Sequence, residues 1–188
     1  ALVFRGDDGL DELTTTGHTR IWEVTRGDGH EHELDPRDLD LPLAHTFTIS
    51  RESITSQPTL IVEVSQNGVS GYGEATSNKY YGFTIDRMAR DIAAIRQKLE
   101  STTLPDPTAL WSQLQPDLKD DPFALCALDQ AAHDLWGKLN NQPVYKLWGL
   151  STEKIPASDY TIGIDKIETM VAKMNEFPGW PIYKIKLG

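Results

Sequence analysis

Apolar residues recur at two spacings along this chain. Between Leu43 and Ala75 they fall in short β-rich runs, Leu43–Ser50, Thr59–Val64 and Val69–Ala75, with Asn67-Gly68 as a hairpin signal between the last two. That pattern predicts a three-stranded antiparallel meander. From Thr84 the period lengthens to that of a helix. Ile85, Met88, Ala89, Ile92, Ile95 and Leu99 share one face behind an N-capping threonine. Pro107–Leu114 reads as a short helix opened by proline. Asp121 caps a longer helix in which Pro122 is the first residue and Leu125, Leu128, Ala132, Leu135 and Leu139 form the stripe; Asn140-Asn141 and Pro143 end it. Strand Ala157–Ile164, helix Lys166–Asn175 and strand Ile182–Leu187 follow. A meander, then helices, then a βαβ unit describes an α+β cap domain leading into the first strands of a parallel (β/α) barrel.

The first forty residues have a different texture. Ala1–Arg5 suits a buried strand, and Thr19–Thr25 with Glu31–Leu34 suits a hairpin across Arg26-Gly27-Asp28-Gly29, so this segment reads as β-rich. It holds 4 basic and 11 acidic side chains, while the remaining 148 residues hold 14 and 17. Most of the net charge of −10 is therefore concentrated in a fifth of the chain. Asp7, Asp8, Asp11 and Glu12 are oxygen donors of the kind a hard cation prefers, although their spacing is not that of an EF-hand loop and a solvated acidic turn accounts for them as well. His30 and His32 are too few for a structural zinc site.

Charge and composition narrow the function classes. An acidic chain without a Lys/Arg stripe disfavours nucleic acid. Its short apolar runs do not span a bilayer and its start lacks a signal-peptide pattern, which fits a cytoplasmic protein. Cys126, the single cysteine, excludes internal disulfides and a thiolate metal cluster.

Candidate chemistry lies in the last strand, Ile182-Tyr183-Lys184-Ile185-Lys186-Leu187. Alternation puts Lys184 and Lys186 on one face, and Tyr183, Ile185 and Leu187 on the other. In a parallel barrel the apolar face meets the outer helix, which turns both lysines inward. Two ammonium groups about 7 Å apart oppose each other's charge. An amine inclined toward neutrality is what a proton-abstracting base requires. On residue types alone, lysines on a strand face more often stand in water and discourage edge-to-edge aggregation.

Two resemblances sharpen these readings. Phe4-Arg5-Gly6-Asp7-Asp8-Gly9-Leu10-Asp11-Glu12-Leu13 with the threonines after it resembles a segment of anthranilate phosphoribosyltransferases, covering about residues 1–40. In that family an Asp-Glu pair helps hold magnesium, a role that would fall to Asp11 and Glu12. The family's glycine-rich pyrophosphate loop is not present, so phosphoribosyl transfer is not expected. Ala127-Leu128-Asp129-Gln130-Ala131-Ala132-His133-Asp134-Leu135-Trp136-Gly137-Lys138, Gly71-Tyr72-Gly73-Glu74-Ala75, Asp159–Ile164 and Tyr183–Gly188 are similar to the cap and first barrel strands of enolase-superfamily dipeptide epimerases, in the muconate-lactonising subgroup. This likeness covers about residues 41–188. It implies a phosphoribosyltransferase-like segment at 1–40, a capping domain at 41–148 and the first βαβ unit of a barrel at 149–188.

The second resemblance also implies roles. Lys186 would move the substrate α-proton and Lys184 would tune it or help neutralise developing charge. Magnesium would stabilise the enediolate of a dipeptide substrate. Arg51 would be a cation for the substrate carboxylate, Thr161 would touch the dipeptide backbone, and cap loops at Thr46–Ser53 and Thr76–Phe83 would close over it. The family's metal carboxylates and opposing lysine come from later barrel strands, so the chain is expected to be inactive alone and its barrel incomplete, with edges open to association. Three alternatives stand beside the epimerase: a cycloisomerase or succinylbenzoate-synthase-like member, a non-catalytic composite or binding domain, and an anthranilate phosphoribosyltransferase fragment.

Overall fold

The computed structural model describes residues 18–22, 40–102 and 106–187. Its strands are β1 (His18–Trp22), β2 (Asp40–Ile49), β3 (Glu52–Gln66), β4 (Val69–Thr76), β5 (Asp159–Ile162) and β6 (Ile182–Ile185). Its helices are α1 (Ile85–Ala94), α2 (Arg96–Ser101), α3 (Pro107–Leu114), α4 (Pro122–Leu139), α5 (Val144–Leu147) and α6 (Ile167–Glu176). Two compact units divide these elements. One holds β1, β3 from Pro58, β4 and α1–α5; the other holds β2 from Leu41, β3 through Gln57, β5, α6 and β6.

In the first unit β3 is flanked by antiparallel partners. β1 pairs with it from His18↔Ser65 to Trp22↔Ile61, and β4 from Thr59↔Thr76 to Gln66↔Val69. The strand expected from Thr19 is thus present and adds to the cap sheet. Its expected partner Glu31–Leu34, and the run Ala1–Arg5, lie outside the described residues. Asn67 (φ 54°) and Gly68 (φ 76°) make the turn into β4 in the left-handed conformations that such a tight hairpin needs.

The sheet and helices meet at unusually close range. Along β4 the inward positions are Gly71, Gly73 and Ala75, all buried. A Cβ on Gly73 would lie 2.0 Å from the Ala127 carbonyl oxygen, and one on Gly71 2.3 Å from that of Ala131. Backbone therefore rests on backbone, and α4 answers with its own small residues, Ala124, Ala127 and Ala131, beside the fully buried Leu128 and Leu135. Around this contact Leu60, Val62 and Val64 of β3, Met88 and Ile92 of α1, and Leu110 and Leu114 of α3 complete one core.

A polar stripe on α4 then closes the sheet edge. Tyr72 N–H donates to Asp134 Oδ2 (2.8 Å), and Glu74 N–H to Gln130 Oε1 (3.4 Å). Gln130 Nε2 donates to the Glu74 carbonyl (3.0 Å), while Lys138 Nζ donates to the Ser70 carbonyl (2.9 Å) and to Asp134 Oδ2 (2.6 Å). Residues 130, 134 and 138, one helical turn apart, satisfy the outward main-chain groups of β4, which would otherwise invite another strand.

The expected strands Ala157–Ile164 and Ile182–Leu187 shorten to Asp159–Ile162 and Ile182–Ile185, which leaves Lys186 just past the strand. Three further boundaries differ from the sequence reading. β3 is one strand of 15 residues that runs through Pro58; proline is tolerated there because pairing with β4 begins only at Thr59. The segment Thr46–Ser53, expected as a loop, is mostly strand on either side of a Ser50–Arg51 turn. The helix expected through Leu99 breaks at Ile95, whose N–H bonds back to the Ile92 carbonyl (3.2 Å); Ile95 and Leu99 stay buried across the break.

Asp121, 2 % exposed, caps α4 by accepting Ala124 N–H (2.9 Å). Burial raises its pKa above the ordinary carboxylate value, with neighbouring Asp91 adding to the effect. The folded state therefore binds this proton more tightly than the unfolded chain does. The stability it contributes is complete below the unfolded value near 3.8 and is lost as pH rises through the raised one. Asp121→Asn keeps a capping side chain and removes the buried charge, so it should raise the thermal midpoint at pH 7 and flatten the decline between pH 4 and neutrality; thermal melts across pH read this directly. Gly73→Ala should cost about 3 kcal/mol or more because its methyl meets main chain that cannot rotate away. Urea denaturation checks that loss.

Candidate active-site face of the parallel unit

In the second unit β5 and β6 pair in parallel, with Tyr160↔Tyr183, Thr161↔Lys184 and Ile162↔Ile185 as neighbours. Tyr183 identifies the two faces. Its hydroxyl donates to the carbonyls of Met174 (3.2 Å) and Phe177 (3.1 Å) at the end of α6. Tyr160, beside it, lies 5.1 Å from the Phe177 ring and 5.9 Å from that of Trp180. The face carrying Tyr160, Ile162 and Tyr183 is therefore the helix-covered one, and Ile162 is 1 % exposed. Alternation leaves Thr161 and Lys184 side by side on the opposite face. Lys184 is exposed; Lys186, just past the strand, is half-buried, and its N–H bonds to the Ile162 carbonyl (3.0 Å). Among the described residues neither ammonium group has a hydrogen bond or ion pair.

The hairpin formed by β2 and the start of β3 bears on the C-terminal end of β5. Ile164 N–H donates to the Thr48 carbonyl (2.8 Å), and a Cβ on Gly163 would lie 3.1 Å from Thr48 N. Thr48 and Ser53 hydroxyls meet across the hairpin at 2.8 Å. Arg51, three residues beyond Thr48, occupies the exposed turn of that hairpin. Hairpin and strand thus meet at the C-terminal end of the parallel strands, where α/β barrels place their chemistry. Thr161 Oγ1 donates to Asp159 Oδ2 (3.2 Å).

The sequence reading did not single out Lys173. This α6 lysine is 8 % exposed and its Nζ lies 3.2 Å from Asp165 Oδ2. Lys166 N–H donates to the other oxygen of Asp165 (2.8 Å). That hydrogen bond first, and Lys173 second, hold the Asp165 carboxyl below its ordinary pKa. Lys173 also lines a cleft of about 330 Å³ with His45, Phe47, Ile54, Tyr160 and Thr161. His45 Nε2 meets Glu176 Oε2 at 2.7 Å, joining the hairpin to α6. No local signal marks the Asp165–Lys173 pair, since eight residues separate its members.

Asp11 and Glu12 lie outside the described residues. Among the described residues no group of three or more His, Cys, Asp or Glu side chains could hold a metal ion. The described side chains therefore do not fit the magnesium that the epimerase resemblance implies. Among them, too, no helix is long and apolar enough to cross a membrane.

Comparison with known proteins adds the following. Residues 38–149 match the mandelate racemase / muconate lactonizing enzyme N-terminal domain. An L-Ala-D/L-amino acid epimerase of Flavobacterium johnsoniae is 53 % identical over 152 residues, covering 81 % of this chain and 45 % of that protein. A dipeptide epimerase from Cytophaga hutchinsonii, solved with Mg and the dipeptide D-Ala-L-Val, matches at a TM-score of 0.70 with 25 % identity, over 79 % of this chain and 42 % of that one. The chain spans less than half the length of the curated epimerases it matches. A stretch of 44 residues, 23 % of the chain, is 73 % identical to 13 % of an anthranilate phosphoribosyltransferase from Leifsonia xyli subsp. xyli. The chain is composite.

Lys173→Met should move the Asp165 titration upward toward the ordinary carboxylate value, though not fully, because the Lys166 N–H remains. A carboxyl-detected NMR titration measures the change.

Proposed function

Because the chain belongs to the mandelate racemase / muconate lactonizing enzyme family, whose N-terminal domain it carries at residues 38–149, we propose that it is the amino-terminal part of a dipeptide epimerase. The observation that carries this reading is the pairing Thr161↔Lys184 on the face turned away from α6, with Lys186 just past the end of the same strand. The F. johnsoniae relative, named an L-Ala-D/L-amino acid epimerase, supports the choice of reaction.

In this reading the substrate is a dipeptide. Its α-carbon faces Lys186, and the free amine of Lys186 takes the α-proton. The electron pair left behind moves onto the adjacent carboxylate as an enediolate, and the ammonium of Lys184 favours that build-up of negative charge. Arg51 attracts a carboxylate of the substrate from the hairpin turn, and Thr161 offers its hydroxyl to the peptide. Epimerisation also calls for an acid on the opposite face of the α-carbon and further stabilisation of the enediolate. With no metal-holding cluster among the described residues, the complete reaction is assigned to the whole protein and not to this chain alone.

Deuterium uptake at the dipeptide α-carbon in D₂O tests the assignment. This chain by itself should give no measurable exchange. Joined to the C-terminal part of the F. johnsoniae relative, it should give exchange that Lys186→Ala lowers about 10²–10⁴-fold, the range for removing an acid–base group. Exchange that survives Lys186→Ala unchanged would remove the lysine from the mechanism.

A further inference from the structure

Arg87 is the hub of a cluster in the first unit, beside the Thr76–Phe83 segment expected to close over the substrate, and has no role in the proposed proton transfer. From α1 its guanidinium reaches both the segment ahead of α4 and the turn before α1. Nη2 donates to the Asp120 carbonyl (2.5 Å) ahead of α4, and Nη1 to the Gly82 carbonyl (3.4 Å). The same group lies 4.5 Å from the centre of the Phe83 ring, which stacks on Phe123 of α4 at 4.4 Å. Two carboxylates aim it: Asp91 Oδ2 at 3.7 Å and the buried Asp121 Oδ2 at 3.8 Å, an oxygen without a hydrogen-bond partner among the described residues.

What the guanidinium touches is a six-residue turn between β4 and α1. Asn78 and Phe83 form an isolated bridge, with N–H···O distances of 2.8 and 3.0 Å. Within it Tyr81 N–H bonds to Asn78 Oδ1 (3.2 Å) and Gly82 N–H to the Lys79 carbonyl (3.3 Å). Gly82, at φ +76°, supplies the left-handed residue the turn needs. At its apex Tyr80 and Tyr81 stand 68 % and 62 % exposed, ring against ring at 4.9 Å.

We propose that Arg87 is a positioning residue that straps the Asn78–Phe83 turn to the body of the first unit, so that the order of Tyr80 and Tyr81 is set by one guanidinium and not by the stability of the fold. A two-residue bridge on an exposed turn does not hold itself closed in water. Beside the Phe83–Phe123 stack and the Tyr81–Phe123 ring contact at 6.3 Å, the forked cation supplies the polar restraint, because it bonds the carbonyl of one turn residue while covering the ring of the next. Two large aromatic side chains are thereby kept in fixed places in solvent, and a ligand meeting them bears no ordering cost for the turn.

Hydrogen–deuterium exchange on the full chain, read together with the thermal midpoint, tests this. In Arg87→Met the amides of Asn78, Tyr81, Gly82 and Phe83 should exchange at least tenfold faster while those of Leu128 and Leu135 in α4 keep their protection. Arg87→Lys, which keeps the charge and loses the fork, should recover less than half of the lost protection on a logarithmic scale. Turn amides that remain as protected as in the parent chain would overturn the proposal. So would turn and α4 amides that loosen together, since that pattern marks an ordinary structural residue. If Arg87→Met does not fold, Arg87→Lys decides by the same comparison.

Discussion

The first unit rests on a contact between two backbones. At Gly71 and Gly73 no side chain separates β4 from α4, so the helix axis settles closer to the sheet than any larger residue allows. That closeness has two consequences. It brings Leu128 and Leu135 down into the space between β3, α1 and α3, where they are fully buried. It also brings Gln130, Asp134 and Lys138 within hydrogen-bonding distance of the outward main-chain groups of β4. One steric fact thus builds the core and closes an edge. The small residues of α4 belong to the same constraint, because a bulky side chain at Ala127 or Ala131 would hold the helix off.

The second unit is organised by a division of faces. Tyr160 and Tyr183 turn toward the end of α6, with the Tyr183 hydroxyl bonded to two carbonyls there, and this commits Thr161 and Lys184 to the other side of the β5–β6 pair. A parallel strand pair covered by its own crossover helix is the repeating unit of an α/β barrel, with the uncovered face inward and the chemistry at the C-terminal ends. The hairpin that meets Gly163 and Ile164 lies at that end. The acid–base role proposed for the lysines rests on this placement.

The composite origin of the chain is visible in both charge and pairing. The acidic segment carries the phosphoribosyltransferase likeness. Yet its strand β1 pairs with β3 as an ordinary antiparallel neighbour. Main-chain hydrogen bonding is indifferent to ancestry: any extended segment with free N–H and C=O groups satisfies a sheet edge.

Much of this was legible locally. The helices at Pro107 and Pro122, the Asp121 cap and the Asn67-Gly68 turn were written in residues adjacent in the chain, because capping and left-handed turns depend on a few neighbours. The alternation that separates Tyr183 from Lys184 was equally local. The run of β3 through Pro58, the break at Ile95 and the hairpin at Ser50–Arg51 were not, since each depends on which partner lies alongside. The glycines of β4 could be counted in the sequence, but only packing shows that the space above them is occupied by the carbonyls of Ala127 and Ala131. The pairs Asp165–Lys173 and His45–Glu176, and the reach of Arg87 to Gly82 and Asp120, likewise join residues that no spacing connects. The sequence by itself determined which elements form, where α4 is capped and how the last strand divides its faces, through short-range sterics and hydrogen bonding. Tertiary structure alone decided which of those faces meet, because packing selects partners by shape and distance across the chain.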